Sequence, residues 1–351
     1  MKHTYLIAEI GQNHNGSPDV AKLIIDLITR SPEEKRFGYT LAQIDAVKLT
    51  KRDLDHELSD SQRAAPYTSE HSFGPTYGEH REALELTDEQ HFEIYQYAKN
   101  VGLEFVETLC APGCLSLLEL FTPDYLKVAS RDLTNLPLLD AMAATKIPII
   151  VSTGMAGKAE LDQALECISK HHEEISILHC VSQYPTHPKN VNLRTIDYLK
   201  ENYPQFRVGY SDHTIGISVP VAAVAMGAEI IEKHVTIDRR MKGSDHAGSL
   251  GPDGVMRMTR DIRLMDMSLG EKDIFVAEGI ETARKKLQRS IATRRPINPG
   301  ELISEDDIHL LSPGDGFSWS DREKVVGRKA KQAIATNEII YSELLEGSDP
   351  A

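Results

Sequence analysis

Residues 208–245 read VGYSDHTIGISVPVAAVAMGAEIIEKHVTIDRRMKGSD, and their pattern is the clearest indication of the fold. Two short apolar runs each end in a histidine, the first at His213 and the second at His234, and a small-residue helical segment at 217–226 separates them. The order strand, helix, strand predicts two parallel neighbouring strands. Both histidines then lie at the carboxyl end of the sheet, which is where α/β folds bind ligands.

Two imidazoles that converge on one point predict a site for a divalent metal ion. A single histidine at a strand end is more often held by an ordinary hydrogen bond, and that interpretation stays open for each of them. Because His213 and His234 form a matched pair, we favour the metal site.

Six further runs of strand character precede this unit, and helical patterns separate most of them; they lie at residues 5–10, 44–50, 103–108, 125–130, 147–152 and 175–180. A capping box at Thr87 and Gln90 predicts one of the helix starts. Strands at the spacing of βα units predict an α/β fold, a (β/α)8 TIM barrel over residues 1–270. An open doubly wound sheet is the alternative, but no GxGxxG motif follows the first strand.

The pattern changes after residue 270. Residues 271–288 are charged and indicate a helical linker, whereas residues 289–351 contain short β-like runs separated by Pro-Gly turns. We therefore predict a small β-rich second domain. Residues 51–85 are polar with little apolar periodicity, which is typical of a functional or mobile loop.

The composition narrows the function classes. The chain has 351 residues and a formal net charge of −14, which argues against nucleic acid and anionic membrane surfaces as partners. No secretory signal or bilayer-length apolar run is visible, so we expect a cytoplasmic protein with reduced cysteines. Cys110 and Cys114 lack the CxxC spacing of a metal or redox pair.

The predicted strand ends converge on one mouth of the barrel, and most of them carry polar groups: Glu9, Lys48, Thr108, Lys127, Ser130, Ser152, Ser182, Tyr184, Ser211, His213 and His234. Lysines inside apolar barrel strands are costly unless paired, so Lys48 and Lys127 predict a function. Together with the hydroxyl groups they form a donor array suited to a phosphate and a carboxylate. Each serine alone is more often a helix cap than a ligand. Asp245, after the last strand, is either a turn residue or a contact for substrate hydroxyls.

Several motifs resemble the sialic acid (nonulosonic acid) synthase family: AEIGQNHNG at 8–16, VSTGM at 151–155, LHCVSQYP at 178–185, GYSDHT at 209–214 and EKHVT at 232–236. Farther along, RSIA at 289–292 and PGELISEDD at 299–307 are similar to the antifreeze-like (SAF) domain of that family. The resemblance spans nearly the whole chain, with the motifs in the family's order.

The resemblance implies a transferase that condenses phosphoenolpyruvate with an N-acylated amino sugar and releases inorganic phosphate. The family's phosphoenolpyruvate ligands correspond to Lys48, Thr108, Lys127, Ser130, Ser152, Ser182 and Ser211. Its sugar contacts correspond to Tyr184 and Asp245, and its N-terminal active-site glutamate to Glu9. Its metal ligands, which hold manganese or a similar divalent ion such as magnesium or cobalt, correspond to His213 and His234. The resemblance also implies a domain-swapped homodimer.

This chain departs from the family pattern at a few positions. Asp132 stands where bacterial members usually have a glutamate that acts on water or the sugar, and it is implied as a catalytic group. Leu49-Thr50 follow Lys48 where Phe-Gln is usual, and Ser312 replaces an arginine of the small domain. PYTS at 66–69 and TYGEH at 76–80 resemble the animal branch, which takes a phosphorylated sugar, so the sugar stays open.

Two other function classes stay open at this point. A metal-dependent aldolase or hydrolase on the same barrel would not need Lys48 and Lys127. A non-catalytic sugar- or ice-binding protein would need a flat, threonine-rich surface on the small domain. The sequence there instead carries three consecutive acidic residues at 305–307.

Overall fold

The structure is a computed structural model that describes residues 3–29, 35–36, 39–40 and 44–347. The chain divides into two compact units, residues 1–270 and 271–351. Within the described residues, no helix has both the length and the apolar character needed to cross a membrane.

Eight parallel strands form a closed barrel in the first unit: β1 (Tyr5–Gly11), β2 (Ala46–Lys51), β3 (Glu104–Leu109), β4 (Tyr125–Val128), β5 (Ile149–Ser152), β6 (Ile175–Cys180), β7 (Arg207–Asp212) and β8 (Ile230–His234). Each strand pairs with the next in the chain, and β8 closes the barrel by pairing with β1, where Glu9 lies opposite His234. The predicted TIM barrel is confirmed. A two-residue ribbon, Lys35–Arg36 with Tyr39–Thr40, lies between β1 and β2.

Helices connect the strands: α1 (Pro18–Thr29), α2 (Leu54–Glu57), α3 (Asp60–Arg63), α4 (Tyr77–Glu82), α5 (Asp88–Asn100), α6 (Leu136–Ala144), α7 (Lys158–Ser169), α8 (Thr195–Asn202), α9 (Ser218–Ala225) and α10 (Pro252–Ser268). A 3₁₀ helix, Pro112–Glu119, connects β3 to β4. The capping box predicted at Thr87 is confirmed, since Thr87 N donates to Gln90 Oε1 at 2.9 Å and Gln90 N to Thr87 Oγ1 at 3.3 Å.

An apolar layer fills the inside of the barrel and consists of Tyr5, Ile7, Ala46, Val106, Tyr125, Ile150, Leu178 and Ile230. Side chains alternate between the two faces of a strand, so the residue two positions further along points into the barrel again. In seven strands that residue lines the cavity above the layer, and in β7 Ser211 follows Gly209 in the same way: Glu9, Lys48, Thr108, Lys127, Ser152, Cys180, Ser211 and Glu232. The barrel therefore supports a polar layer on top of an apolar floor.

Residues 51–85 contain three short helices, α2 to α4, where the sequence had indicated a loop. Aromatic rings hold this segment together, with the rings of Tyr67 and His80 centred 4.5 Å apart. The segment also contacts the loop after β8, because Gly243 N donates to His71 Nδ1 at 3.4 Å and the Lys242 ammonium lies 4.8 Å from the centre of the Phe73 ring. We refer to residues 51–85 as the β2–α5 segment.

The second unit contains α11 (Glu281–Leu287) and an antiparallel pair of strands, β9 (Ser290–Thr293) and β10 (Ile308–Leu311). Isolated bridges join Ile297 to Ile334 and Leu302 to Lys329. Its core is aliphatic and consists of Ile291, Ile297, Ile303, Ile308, Val325, Ala330, Ile334, Ile340 and Leu345. The expected β-rich fold is confirmed.

Candidate active site

A cavity of about 380 Å³ opens at the carboxyl end of the barrel strands. It brings together all but one of the predicted site residues: Glu9, Lys48, Thr108, Lys127, Ser130, Ser152, Ser182, Tyr184, Ser211, His213, His234 and Asp245. The polar layer of the barrel forms its floor. Asp132 is the predicted residue that does not line it.

Lys48 is shared between two buried carboxylates. Its Nζ lies 2.7 Å from Glu9 Oε2 and 3.6 Å from Glu232 Oε2, and it donates to Thr108 Oγ1 at 2.9 Å. Burial opposes the charge on Lys48, but attraction to Glu232 and Glu9 outweighs it and raises the lysine's pKa. Burial raises the pKa of Glu9 to about 7, although Lys48 partly offsets this effect. Glu232 also accepts a hydrogen bond from Ser211 Oγ at 2.9 Å.

Lys127 lies in the same layer but is held differently. Its ammonium donates to Ser152 Oγ at 2.7 Å and to the carbonyl oxygen of Val128 at 2.9 Å. Across the described part of the chain, no carboxylate lies within ion-pair distance of it. Burial lowers the pKa of Lys127, with a further contribution from Lys48. A buried ammonium without a carboxylate partner is suited to receive an anionic ligand.

Two serine hydroxyl groups extend this donor array at a point where the backbone of Gly154 passes close to them. Gly154 N donates to Ser130 Oγ at 3.0 Å. A Cβ atom at residue 154 would lie 2.8 Å from Ser130 Oγ and also too close to Ser182 Oγ, so glycine is needed here. The VSTGM motif thus places two serine hydroxyls beside the cavity.

The two strand-end histidines lie side by side at one edge of the cavity, with ring centroids 5.6 Å apart. His213 Nδ1 lies 3.0 Å from the carbonyl oxygen of Val181, which can only accept, so Nδ1 carries the proton and Nε2 keeps its lone pair. His234 Nδ1 is buried and has no hydrogen-bond partner among the described residues. Burial lowers the pKa of His234, which favours the neutral imidazole.

These features fit a divalent cation. Histidines that bind metals commonly donate their other ring N–H to a backbone carbonyl, as His213 does to Val181. An orphaned buried nitrogen on His234 is a second sign. No group of three or more His, Cys, Asp or Glu side chains suited to a metal occurs in the described ranges. Two imidazoles fill only part of a metal ion's coordination shell, and catalytic sites keep a position open to water or substrate. Metal binding itself stays a prediction.

A fully buried ion pair lies directly behind the histidines. Lys233 Nζ lies 2.5 Å from Asp212 Oδ2, and both side chains are 0% exposed. Asp212 also accepts hydrogen bonds from Tyr210 OH at 2.9 Å and from Thr214 N at 2.9 Å. Since Asp212 precedes His213 and Lys233 precedes His234, the pair fixes the spacing of the strand ends that carry the two imidazoles.

Tyr184 and Asp245 lie beside the histidines. The ring of Tyr184 is centred 4.1 Å from that of His213. Ser244 Oγ donates to Asp245 Oδ1 at 2.9 Å. Burial raises the pKa of Asp245, but His234 and the Ser244 hydrogen bond more than offset this, and its carboxyl stays ionised.

Asp132 was predicted as a catalytic group, and the structure does not bring it to the cavity. It ends the 3₁₀ turn Ser130–Asp132, and its Oδ2 lies 3.2 Å from Arg131 Nε. The turn points Ser130 and Arg131 at the cavity, whereas the Asp132 carboxylate lies behind the arginine and outside the lining found for the described residues. Its catalytic role stays a prediction.

The sequence reasoning missed several residues that line the cavity: Gln12, Arg52, Arg81, Arg131, Cys180 and Glu232. For two of them the sequence did contain a signal, the alternation of side chains along a strand. Glu232 is two residues before His234, and Arg52 is two residues after Thr50, so strand alternation would have predicted the shared face. Arg81 comes from α4 in the β2–α5 segment, where no pattern in the sequence indicated it.

Two family matches cover most of the chain. The NeuB family matches residues 39–274, and the SAF domain matches residues 288–346. The chain belongs to the NeuB family. The synthase resemblance seen in the motifs is thereby confirmed.

Named relatives of this NeuB-family chain make several nonulosonic acids. It is 32% identical to human N-acetylneuraminate-9-phosphate synthase over 97% of this chain and 92% of that protein. It is also 32% identical to N,N'-diacetyllegionaminic acid synthase of Legionella pneumophila over 97% of this chain and 94% of that protein. Among solved structures, N-acetylneuraminic acid synthetase of Leptospira borgpetersenii in complex with citrate superposes with a TM-score of 0.67 at 28% identity, over 80% of this chain and 90% of that one.

Proposed function

We propose that this chain condenses phosphoenolpyruvate with an N-acylated amino sugar and releases a nonulosonic acid and inorganic phosphate. The sugar would be N-acetylmannosamine, its phosphate or a related diacetamido hexose. Family membership and the printed names of the relatives support a synthase of this class. The observation that carries the proposal is Lys127, a buried cation without a described carboxylate partner, next to the imidazole pair.

The floor of the cavity suits phosphoenolpyruvate. Lys127 and Lys48 provide positive charge, and Thr108, Ser130, Ser152, Ser182 and Ser211 provide hydroxyl donors. Because most of these side chains are buried, their contacts to a phosphate or carboxylate are stronger than they would be in water. The serines keep the enol double bond oriented towards the second substrate.

The histidine edge suits the sugar aldehyde. His213 and His234 would hold the divalent ion, which the family resemblance implies to be manganese, and such an ion would polarise a carbonyl oxygen as a Lewis acid. Asp245 and Tyr184 lie beside this edge and are positioned to bind sugar hydroxyls. Holding both substrates in one cavity supplies much of the rate enhancement.

The reaction forms one carbon–carbon bond and breaks one carbon–oxygen bond. The electron pair of the enol double bond forms a bond from C3 of phosphoenolpyruvate to the aldehyde carbon, and the aldehyde oxygen takes up a proton. Water adds to the electron-deficient C2 and loses a proton, which gives a tetrahedral intermediate. The bond from C2 to the bridging oxygen then breaks, and phosphate leaves with that oxygen.

The reaction needs an acid–base group close to the substrates. Glu9 lines the floor and has a pKa of about 7, so it can both bind and release a proton near neutral pH. We assign proton transfer to Glu9. Burial opposes the charge on Glu232, but attraction to Lys48 outweighs it and lowers the pKa of Glu232 to about 2, so Glu232 stays an ionised partner of Lys48. Asp132 would take part through Arg131, which it holds at 3.2 Å.

A homodimer is part of the proposal, because the family resemblance implies one in which the SAF domain covers the partner's barrel mouth. Light scattering on the purified protein tests it, and a dimer mass at micromolar concentration is the expected result. A mass equal to one chain would contradict it.

A metal-dependent aldolase or hydrolase on the same barrel is the alternative function. Neither needs phosphoenolpyruvate, and neither needs the pair of Lys48 and Lys127. The deciding assay measures phosphoenolpyruvate consumption with a panel of acylated hexosamines, free and phosphorylated, with and without manganese. Sugar-dependent consumption that requires manganese supports the proposal. Its absence with every sugar would refute it.

A further inference from the structure

Arg81 is a cation on the cavity wall that the proposed chemistry at the floor does not use. It belongs to α4 of the β2–α5 segment, outside the barrel, and reaches the cavity over the loop that follows β1. Its contact there is Gln12, a neutral side chain that also lines the cavity.

The other two arginines of the cavity are compensated by carboxylates. Arg52 forms ion pairs with Glu57 and Glu85, and Arg131 forms ion pairs with Glu57 and Asp132. For Arg81, the described residues provide no carboxylate within ion-pair distance. Its positive charge therefore remains available to a ligand.

The guanidinium of Arg81 is held in place by neutral contacts. It donates to the Gln12 side-chain oxygen and to Tyr77 OH, the latter at 2.8 Å, and its Cζ lies 4.9 Å from the centre of the Tyr77 ring. Arg81 Nε is buried and has no hydrogen-bond partner within the described ranges. A fixed guanidinium with unused donors is preorganised for an anion, since little side-chain freedom is lost on binding.

Arg81 lies on the sugar side of the cavity. Its charge is one of those that lower the pKa of Asp245, which is next to the histidine edge. The β2–α5 segment that carries Arg81 also contacts the loop of Asp245, through His71 to Gly243 and through Phe73 to Lys242. The floor lysines, by contrast, lie in strands β2 and β4 inside the barrel.

We propose that Arg81 is a specificity-determining residue that binds a phosphate monoester on the amino sugar. This inference rests on the proposed function and narrows its substrate class to a phosphorylated sugar. Lys127 and Lys48 account for the anionic groups of phosphoenolpyruvate, so an additional uncompensated arginine on the opposite substrate's side predicts a second anion. Arginine binds phosphate through two parallel N–H donors, which a hydroxyl group cannot reproduce.

The test compares N-acetylmannosamine with its phosphate monoester as second substrates, and phosphoenolpyruvate consumption is the readout. Wild-type enzyme should show a higher kcat/KM for the phosphorylated sugar. Arg81→Gln should raise KM for that sugar by about 10- to 100-fold, the range for a lost charge-assisted hydrogen bond, and leave KM for phosphoenolpyruvate unchanged. Arg81→Lys keeps the charge, and its KM for the phosphorylated sugar should lie between those of wild type and Arg81→Gln.

The matched control is Arg63→Gln, which removes the same charge from the same segment. Arg63 is ion-paired with Asp55 and Glu82, outside the main cavity, and its variant should retain wild-type kinetics for both sugars. Melting temperatures of all variants report on folding. The preference of the wild-type enzyme for the phosphorylated sugar is measured without any variant.

Several results would overturn the inference. A wild-type enzyme that prefers the free sugar would refute it while leaving the proposed synthase function intact. An increase in KM for phosphoenolpyruvate in Arg81→Gln would assign Arg81 to the other substrate. No consumption of phosphoenolpyruvate with either sugar, or with the wider hexosamine panel, would refute both the inference and the proposed function.

Discussion

The two ends of the barrel both bury charged side chains but arrange them differently. At the amino end, Asp266 accepts hydrogen bonds from Thr4 N at 2.9 Å and from Thr4 Oγ1 at 2.6 Å, and Arg263 contacts Asp45 at 2.7 Å. These groups bind one another and tie β1 to α10. At the carboxyl end, Lys127 and the imidazoles face a cavity.

This difference separates stability from function. A buried charge that is enclosed by protein partners stabilises one conformation, and removing a partner costs folding free energy. A buried charge that faces a cavity instead keeps its binding capacity for a ligand, and the rest of the fold must tolerate it. We therefore expect substitutions at the two ends to affect different measurements.

The largest effect is expected from the histidine pair. His213→Ala or His234→Ala should abolish the metal-dependent reaction, because each removes one of two protein ligands. Manganese titration followed by electron paramagnetic resonance, with phosphoenolpyruvate consumption in parallel, provides the measurement. The control is His3→Ala at the amino end, an exposed histidine that contacts Asp45. Manganese binding of wild-type strength in His213→Ala would contradict the site.

Lys127 should be nearly as important for the rate. Lys127→Met keeps the length of the side chain but removes the ammonium, and we expect kcat/KM for phosphoenolpyruvate to fall by about 100- to 1000-fold, as for a lost oxyanion donor. Manganese affinity should stay unchanged, which separates this variant from the histidine variants. Steady-state kinetics at saturating sugar test the prediction, and a change of less than threefold would refute it.

The ion pair behind the histidines should have an intermediate effect. The double variant Asp212→Asn/Lys233→Met removes both charges together, so no uncompensated charge is left buried. We expect manganese affinity to fall by about 10- to 100-fold, which is typical of the groups that orient metal ligands. A melting temperature close to wild type combined with unchanged manganese affinity would show that the pair does not position the histidines.

At the amino end, stability should change and catalysis should not. Asp266→Asn weakens the contacts to Thr4 and Arg263 and should lower the free energy of unfolding by about 2 kcal/mol. Denaturant unfolding measures this loss, and kcat/KM of the folded enzyme should equal that of wild type. A large fall in kcat/KM without a loss of stability would remove the distinction between the two ends.

The smallest effect is a trend with pH. Folding raises the pKa of Glu9 from its ordinary value of 4.5 to about 7, so the folded state binds this proton more tightly than the unfolded state. The resulting stability is present below pH 4.5 and is lost as the pH rises through 7. The melting temperature of wild type, measured relative to that of Glu9→Gln, should therefore fall between pH 5 and pH 8. A constant difference between the two proteins would contradict the shift.

Much of the barrel could be predicted from the sequence because its signals are local. Apolar runs ending in polar residues mark the strands, and the closure of the barrel brings those ends together. The positions of Lys48, Lys127, His213 and His234 follow from that rule alone. The metal ion and the substrates do not follow from it, and they stay predictions.

The rest of the site depends on geometry that a linear pattern does not contain. Arg81 reaches the cavity because the rings of Tyr67, Tyr77 and His80 pack the β2–α5 segment into a compact unit. The polar composition of the segment gave no indication of this packing. Asp132, which the family resemblance implied as a catalytic group, lies outside the cavity lining found for the described residues, because it ends a 3₁₀ turn in which its carboxylate contacts Arg131. Its catalytic role stays a prediction.

The fate of the bridging oxygen of phosphoenolpyruvate distinguishes the proposed condensation from other reactions of this substrate. The enzyme is supplied with manganese, an acylated amino sugar and phosphoenolpyruvate that carries heavy oxygen between C2 and phosphorus. Mass spectrometry then compares the released phosphate with the carbon product. The proposed condensation predicts that the label leaves with phosphate, one phosphate for each sugar consumed. Label retained in pyruvate, or phosphate released without sugar, would contradict it.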